Sequence, residues 1–304
     1  MATPTKVHFP SFSQTICGEL YAPADGSPDR RHAAIVVSHP MTAVKEQSPA
    51  VFAKLLSAAG FYALTFDAAY QGESTGEPRG LEDPHHRAED VKAAVTYLSA
   101  LPGKVDPSRI GVLGICASGG YTSFAAQSDS RIKALATVSG ACVGRMTRNG
   151  GFGPDENRAA IQAAVDGAGQ YRTALARGQA PAIQPMFPQD PAGLKDSFFI
   201  SAATYYGGPN KHERSNQLVP PYSYDLMVGY DSFLHQHLIS PRPLLMIAGS
   251  EAETLLHSKQ AIEIAQEPKE LLVVHGKGHF DLYDDTEVSG PKLIQYFSRW
   301  LTTT

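Results

Sequence analysis

The feature that most restricts the fold of this chain is a repeated alternation of short apolar runs with longer stretches of helical character. Runs of Val, Ile, Leu and Ala are typical of strands that are buried on both faces. Where such strands alternate with helices they form a mostly parallel sheet, so we expect an α/β fold. The predicted strands are 15–23, 33–38, 62–67, 109–115, 134–139, 243–248 and 271–274. The predicted helices between them are 49–59, 87–100, 119–127, 258–266 and 291–301.

This alternation is interrupted once. It stops after residue 140 and resumes at residue 241, which predicts a core domain made of 1–140 and 241–304 and an insertion at 141–240. The insertion holds more aromatic residues than a small core of its own needs, and this is typical of a lid that covers a pocket. We expect three of its aromatic side chains to bind substrate, although packing of these rings on one another remains an alternative. They are Tyr205, Tyr206 and Tyr230.

Composition excludes several kinds of partner. The formal net charge is -4 and there is no run of basic residues, which argues against nucleic acid and anionic lipid. The chain has no apolar stretch of membrane-spanning length and no signal-like start, so we expect a cytoplasmic protein without a membrane partner. Its three cysteines have no metal-type spacing, and no phosphate loop or nicotinamide fingerprint is present. We therefore expect no metal and no cofactor, and a small molecule as the partner, with oligomerisation left open.

A strand–turn–helix pattern surrounds one cysteine. The predicted strand 109–115 runs directly into Cys116, and a helix-compatible stretch follows. A turn that exposes a nucleophile needs small residues two positions before and after it, and Gly114 and Ser118 meet this need around Cys116. The start of the next helix would favour the thiolate. Cys116 is thus the candidate nucleophile, with Ser118 in a shifted frame and a buried structural thiol as alternatives.

Three segments together resemble the α/β-hydrolase superfamily. They read Ser-His-Pro-Met-Thr-Ala-Val-Lys-Glu-Gln at 38–47, Gly-Ile-Cys-Ala-Ser-Gly-Gly at 114–120 and His-Phe-Asp-Leu-Tyr-Asp at 279–284. The cysteine turn is similar to dienelactone hydrolases, and the whole pattern to a cap-bearing group that includes fungal polyketide transferases. The resemblance implies a mostly parallel sheet of about eight strands flanked by helices, with a mainly helical cap inserted between two strands. Ser118 departs from the family, which usually has Gly there.

The resemblance also implies a base and an oxyanion hole. In this fold the chain order is nucleophile, acid, histidine. His279, in the loop after the last predicted strand, is the expected base, in preference to His275 in the same loop. The oxyanion hole of the family uses the backbone N–H of the residue after the nucleophile and one from the loop after an early strand. These positions correspond to Ala117 and Met41.

The acid is harder to assign. Family spacing places a carboxylate three residues after Gly249, but Ala252 occupies that position. Glu251 and Glu253 flank it, and we expect Glu251 to orient the base, with Glu253 as the alternate acid. Asp281, or a dyad without an acid, remains an alternative.

These residues predict an enzyme that forms an acyl-enzyme on cysteine. A hydrolase or acyltransferase that acts on a hydrophobic ester or thioester is expected, and a polyketide-type acyl group on coenzyme A or an acyl carrier protein is one candidate substrate. Tyr70, which follows a strand at the same sheet edge as Cys116, is expected to contact the substrate. A lactone hydrolase or carboxylesterase similar to dienelactone hydrolases, and a non-catalytic binding protein of the same fold, remain alternatives.

Overall fold

The strands form a single sheet. The computed structural model describes residues 3–179, 181–188 and 190–303. The strands are β1 (Thr5–Ser11), β2 (Gln14–Tyr21), β3 (Ala34–Ser38), β4 (Tyr62–Phe66), β5 (Ile110–Ile115), β6 (Ile132–Val138), β7 (Leu244–Gly249) and β8 (Lys269–Val274). In the described chain this eight-stranded sheet has the order β1-β2-β4-β3-β5-β6-β7-β8. β1 and β2 form an antiparallel hairpin, β2 is antiparallel to β4, and the remaining neighbours are parallel.

Burial of the strands follows their position in the sheet. Every residue of β3 and β5 is buried, as expected for central strands that helices cover on both faces. The edge strand β1 instead alternates exposed and buried side chains. The α/β class and the predicted strands are confirmed, with small differences at the strand ends. β1 itself is absent from the sequence prediction, because polar residues and Pro10 interrupt its apolar pattern.

Helices cover both faces of the sheet. They are α1 (Ser48–Ala58), α2 (Pro84–Ser99), α3 (Ser118–Ser128), α4 (Val143–Asn149), α5 (Arg158–Ala176), α6 (Ser197–Gly207), α7 (Ser223–Val228), α8 (Leu255–Ile264) and α9 (Ser289–Thr302). α1 and α9 pack on one face, where Phe52 and Phe297 belong to the same buried cluster. α2, α3 and α8 pack on the other face, with Val91 and Ala261 in a second cluster. Within the described ranges, no helix has both the length and the apolar character that a membrane span requires.

The chain between β6 and β7 is mainly helical, and we name residues 139–243 the inserted segment. It contains α4 to α7 and a short 3-10 helix, Gln236–Ile239. Asn157 and Asp196 precede α5 and α6, and their side-chain oxygens accept hydrogen bonds from the first backbone N–H groups of these helices. Phe198 of α6 packs against Phe280, in the loop after β8. This contact brings the inserted segment next to the carboxyl ends of the parallel strands.

Candidate active site

Cys116 lies in a strained turn between β5 and α3. Its φ angle is +56°, in the left-handed region that residues with a side chain rarely adopt. The turn is also crowded, because a Cβ on Gly114 would lie 2.2 Å from the carbonyl oxygen of Ser118. A Cβ on Gly119 would lie 2.6 Å from the Cα of Gly140. Small residues are therefore required around Cys116, and the strain falls on Cys116 itself rather than on Ser118.

The Cys116 side chain faces a small chamber of about 40 Å³. It is half-buried, and Met41 and Ala117 also line the chamber. Burial raises the pKa of the Cys116 thiol, while hydrogen bonds with the Tyr283 hydroxyl and the Ala117 N–H lower it in part. The net rise means that the thiol is the resting form, although the helix start alone would favour the thiolate.

His279 is buried in the loop after β8, and both of its ring nitrogens contact hydroxyl groups. Nδ1 lies 2.7 Å from Oγ1 of Thr254, and Nε2 lies 3.0 Å from the hydroxyl oxygen of Tyr283. Burial, with a smaller effect of His257, lowers the pKa of His279 to about 3. The imidazole is therefore neutral at physiological pH and can accept a proton.

The candidate carboxylates near His279 have other partners. Glu251 accepts a hydrogen bond from Ser250 next to it in the chain, and Glu253 accepts one from Ser197 at the start of α6. Asp281 accepts a hydrogen bond from the backbone N–H of Gly278. The structure thus brings His279 together with two residues that the sequence reasoning missed, Thr254 and Tyr283. A hydroxyl has no characteristic spacing, although Tyr283 stands inside the recognised segment at 279–284.

Ser118, the alternative nucleophile, lies behind the turn. It is fully buried, and its Oγ lies 2.9 Å from Oγ of Ser38 and 3.0 Å from a guanidinium nitrogen of Arg87. Arg87 also donates to the backbone carbonyl of His39 and pairs with the buried carboxylate of Glu82. The Ser118 hydroxyl that departs from the family pattern thus belongs to a buried polar cluster that supports the turn.

A second buried cluster holds the loop that carries Met41. Nζ of Lys45 lies 2.8 Å from the carboxylate of Asp67 and 2.6 Å from that of Glu73. Lys45 and Asp67 are fully buried, and Asp67 also accepts from the backbone N–H groups of Lys45 and Glu73. These bonds join the loop after β3 to the loop after β4, which fixes the position of the Met41 backbone.

The inserted segment contacts the same loop. Thr42 has a φ of +63°, and its hydroxyl donates to the side-chain oxygen of Gln217 at 2.5 Å. Ser215 donates from its hydroxyl to the backbone carbonyl of Thr42 at 2.8 Å. Two residues of the inserted segment therefore hold the strained residue that follows Met41.

The four tyrosines expected to bind substrate lie in different places. Tyr206 lines the chamber with Cys116. The ring of Tyr205 packs on that of Tyr283, with centroids 5.0 Å apart, and the ring of Tyr230 packs on that of Phe124 of α3. Tyr70 lines a separate cavity of about 190 Å³ near Arg79 and Arg214. Of the four, Tyr206 is therefore the one that the structure brings to the chamber.

The chamber adjoins a larger cavity of about 520 Å³. Met41, Phe187 and Phe198 are among the residues that line both spaces. The larger cavity lies almost entirely within the inserted segment and is lined mainly by methionine, aromatic and small residues. These are Met41, Val143, Met146, Thr147, Gly150, Gly151, Phe152, Met186, Phe187, Asp196, Phe198, Phe199, Tyr224 and Met227.

Known proteins are similar to this chain over most of its length. Residues 5–143 match a family described as PET hydrolase-like. The chain is 36% identical over 272 residues to the uncharacterised protein YcjY of Escherichia coli, covering 87% of each. The crystal structure of a hypothetical protein from Pseudomonas aeruginosa, PA2218, superposes with a TM-score of 0.91 at 33% identity, covering 99% of this chain and 95% of that one. The polyketide transferase grgF of a Penicillium species is 27% identical over 278 residues, covering 89% of each chain.

Proposed function

Because this chain belongs to the α/β-hydrolase superfamily and is an enzyme of the ester-acting hydrolase and acyltransferase class, we propose that it forms an acyl-enzyme on Cys116. One observation carries the proposal, namely the strained φ of +56° that presents Cys116 to the chamber at the end of β5. Backbone strain of this kind is expected at a nucleophile. Ser118 is fully buried and bonded to the supporting cluster, which argues against the shifted frame.

The neighbours of Cys116 supply the remaining parts of an acyl-transfer site. His279 is the proposed general base, because its imidazole is neutral and is oriented by Thr254 at Nδ1. The N–H groups of Met41 and Ala117 are the proposed oxyanion donors, since both residues line the chamber and Ala117 already donates to the thiol. In this proposal Thr254 has the orienting role that the sequence analysis expected of a glutamate.

The cavity supports a hydrophobic acyl group as the substrate. Residues 141–240, as a cap, would enclose it, since Met146, Met186 and Met227 of this segment line the cavity of about 520 Å³. Methionine side chains adapt to irregular apolar ligands. Its described lining contains one carboxylate, Asp196, and no arginine, which disfavours the dianionic acids that a lactone hydrolase would bind. A thioester suits a sulfur nucleophile, and the relative named as a polyketide transferase supports an acyl group carried on coenzyme A or an acyl carrier protein.

Intact-protein mass spectrometry tests the proposal. The protein is mixed with coenzyme A thioesters of short, medium and long acyl chains, and we expect one acyl adduct that peptide mapping places on Cys116. Release of free coenzyme A is followed in parallel. Cys116→Ala should lose the adduct and reduce turnover by about 10³-fold or more. Ser118→Ala is the matched control, and it should retain both if it folds.

Two results would overturn the proposal. Turnover that persists in Cys116→Ala but disappears in folded Ser118→Ala would identify the other frame as correct. An unmodified protein that releases no coenzyme A and hydrolyses no p-nitrophenyl ester, yet binds acyl chains, would identify a binding protein of the same fold. Under either result the acyl-enzyme on Cys116 is excluded.

A further inference from the structure

Tyr283 lies beside both reacting groups of the proposed site. Its hydroxyl oxygen lies 3.0 Å from Nε2 of His279, and Tyr283 lines the same small chamber as Cys116, where hydrogen bonding by Tyr283 lowers the pKa of the thiol in part. The contact between His279 and Tyr283 is local in sequence. Tyr283 ends a short 3-10 helix, Asp281–Tyr283, and thus lies four residues after His279 in the same turn of chain.

Packing fixes the hydroxyl of Tyr283 in this position. The side chain is fully buried. Its ring lies 5.0 Å from that of Tyr205, 5.1 Å from that of Phe280 and 5.5 Å from that of His279, measured between centroids. The aromatic contacts therefore hold the ring on several sides, and the hydroxyl stays next to the imidazole.

We propose that Tyr283 relays the proton between Cys116 and His279 and is therefore a catalytic residue. This inference rests on the proposed acyl-enzyme on Cys116. In the family pattern the nucleophile is activated by the imidazole directly, whereas here a phenol hydroxyl takes part in the transfer.

The hydrogen bonds around His279 have a consistent direction for such a relay. If Nδ1 carries the proton, it donates to Oγ1 of Thr254, and Nε2 is left with a lone pair. In the relay arrangement the Tyr283 hydroxyl donates to Nε2, and the lone pairs of its oxygen can accept the proton of the Cys116 thiol in the same chamber. Each hydrogen-bond donor in this series of contacts therefore has an acceptor.

The relay step balances in protons and electrons. As the sulfur of Cys116 forms its bond to the acyl carbon, the S–H bond breaks and its proton moves to the oxygen of Tyr283. The proton already on that oxygen moves to Nε2 of His279, so Tyr283 is a neutral phenol before and after the step. The carbonyl π electrons move to the oxygen, where the Met41 and Ala117 N–H groups would stabilise the negative charge. When the intermediate collapses, the reverse relay returns the proton to the leaving group.

The electrostatic environment agrees with this geometry. Burial raises the pKa of Cys116 and lowers that of His279 to about 3, so an ion pair of thiolate and imidazolium is not the resting state. The proton must then move together with the attack. The charges that act on the thiol, Glu82 and Arg87, pair with each other behind the turn, and the group that acts on His279 is the imidazole of His257.

The test compares Tyr283→Phe with Tyr296→Phe. Both variants remove one buried hydroxyl and keep the ring, but the hydroxyl of Tyr296 donates to the backbone carbonyl of Leu135, and Tyr296 does not line the chamber. Single-turnover acylation is measured from the release of coenzyme A, together with KM, Tm and the rate in mixtures of H₂O and D₂O. We expect Tyr283→Phe to slow acylation by about 10²-fold with little change in KM. Tyr296→Phe should stay within about threefold of the parent.

The solvent isotope measurement separates a relay from simple packing. Two protons in flight give a curved dependence of the acylation rate on the D₂O fraction, so the parent should show curvature and Tyr283→Phe a straight line. If Tyr283→Phe does not fold, 3,5-difluorotyrosine is placed at position 283, which keeps the hydroxyl but lowers its pKa. A changed acylation rate then supports the relay, and an unchanged rate overturns it.

Failure of the relay can be distinguished from failure of the acyl-enzyme. Normal acylation of Tyr283→Phe, or equal losses in both tyrosine variants, overturns the relay while the Cys116 adduct remains. Turnover and an adduct that persist in Cys116→Ala overturn the proposed function itself, and the relay with it.

Discussion

Behind the Cys116 turn, buried charges are paired with opposite charges, whereas in front of it the described hydrogen-bond partners of the His279 ring are neutral hydroxyls. Lys45 and Asp67 form one such pair and Arg87 and Glu82 another, all with little or no exposure. On the other side, the ring nitrogens of His279 contact Thr254 and Tyr283. Buried polar groups therefore form ion pairs on one side of the turn and uncharged hydrogen bonds on the other.

The difference follows from what each side must do. A buried ion pair adds little net stability, but removal of one partner leaves an uncompensated charge, so a pair strongly favours one loop geometry. A fixed carboxylate would oppose the negative charge that develops on the proposed oxyanion, whereas a neutral hydroxyl does not. Under the proposed function, charges position the loop that carries Met41, and hydroxyls position the ring of His279.

The largest effect is expected from breaking the ion pair of Lys45 and Asp67 behind the turn. Lys45→Met keeps most of the stem but leaves Asp67 buried without its cation, so the free energy of unfolding should fall by about 3–5 kcal/mol. Urea unfolding followed by circular dichroism measures this change. The control is Lys6→Met, which removes an exposed partner of Glu73 and should have little effect. Equal midpoints for the two variants would show that the buried charges do not hold the loops.

A smaller effect is expected in front of the turn. Thr254→Val keeps the shape but removes the hydroxyl that contacts Nδ1 of His279, so the ring loses its orientation. The loss of about one hydrogen bond should slow acylation roughly tenfold. Glu251→Gln, on the same loop, is the control and should change the rate by less than about twofold. The reverse order of effects would identify Glu251 as the orienting group.

The smallest effect is expected when the pH of the assay is changed. A general base must be neutral, and the lowered pKa of His279, about 3, keeps it neutral across the usual assay range. Because the pKa of Cys116 is raised, no thiolate accumulates near neutral pH. The kcat/KM for acylation should therefore vary by less than about twofold between about pH 5.5 and 8. A fall in rate centred near the ordinary histidine pKa would show that the pKa of His279 is not lowered.

Much of the fold and part of the site can be read from sequence. The buried strands are continuous apolar runs, and the turn at Cys116 has the small neighbours that its geometry requires. The partners of His279 cannot be read in this way. Carboxylates are sought where family spacing places them, but Glu251 turns toward Ser250 while Thr254 is buried against the ring. Which side chains point inward depends on packing between loops that are distant in sequence.

Thr42 donates a hydrogen bond to Gln217 and accepts one from Ser215, so the inserted segment and the loop that carries Met41 are held together. Under the proposed function, the segment that lines the acyl cavity also restrains the backbone of Met41, so the acyl specificity and the acylation rate could not be changed separately. Engineering a wider entrance by exchanging this segment would require new acceptors and donors for Thr42. A graft chosen only for its pocket shape would admit new substrates but turn them over slowly.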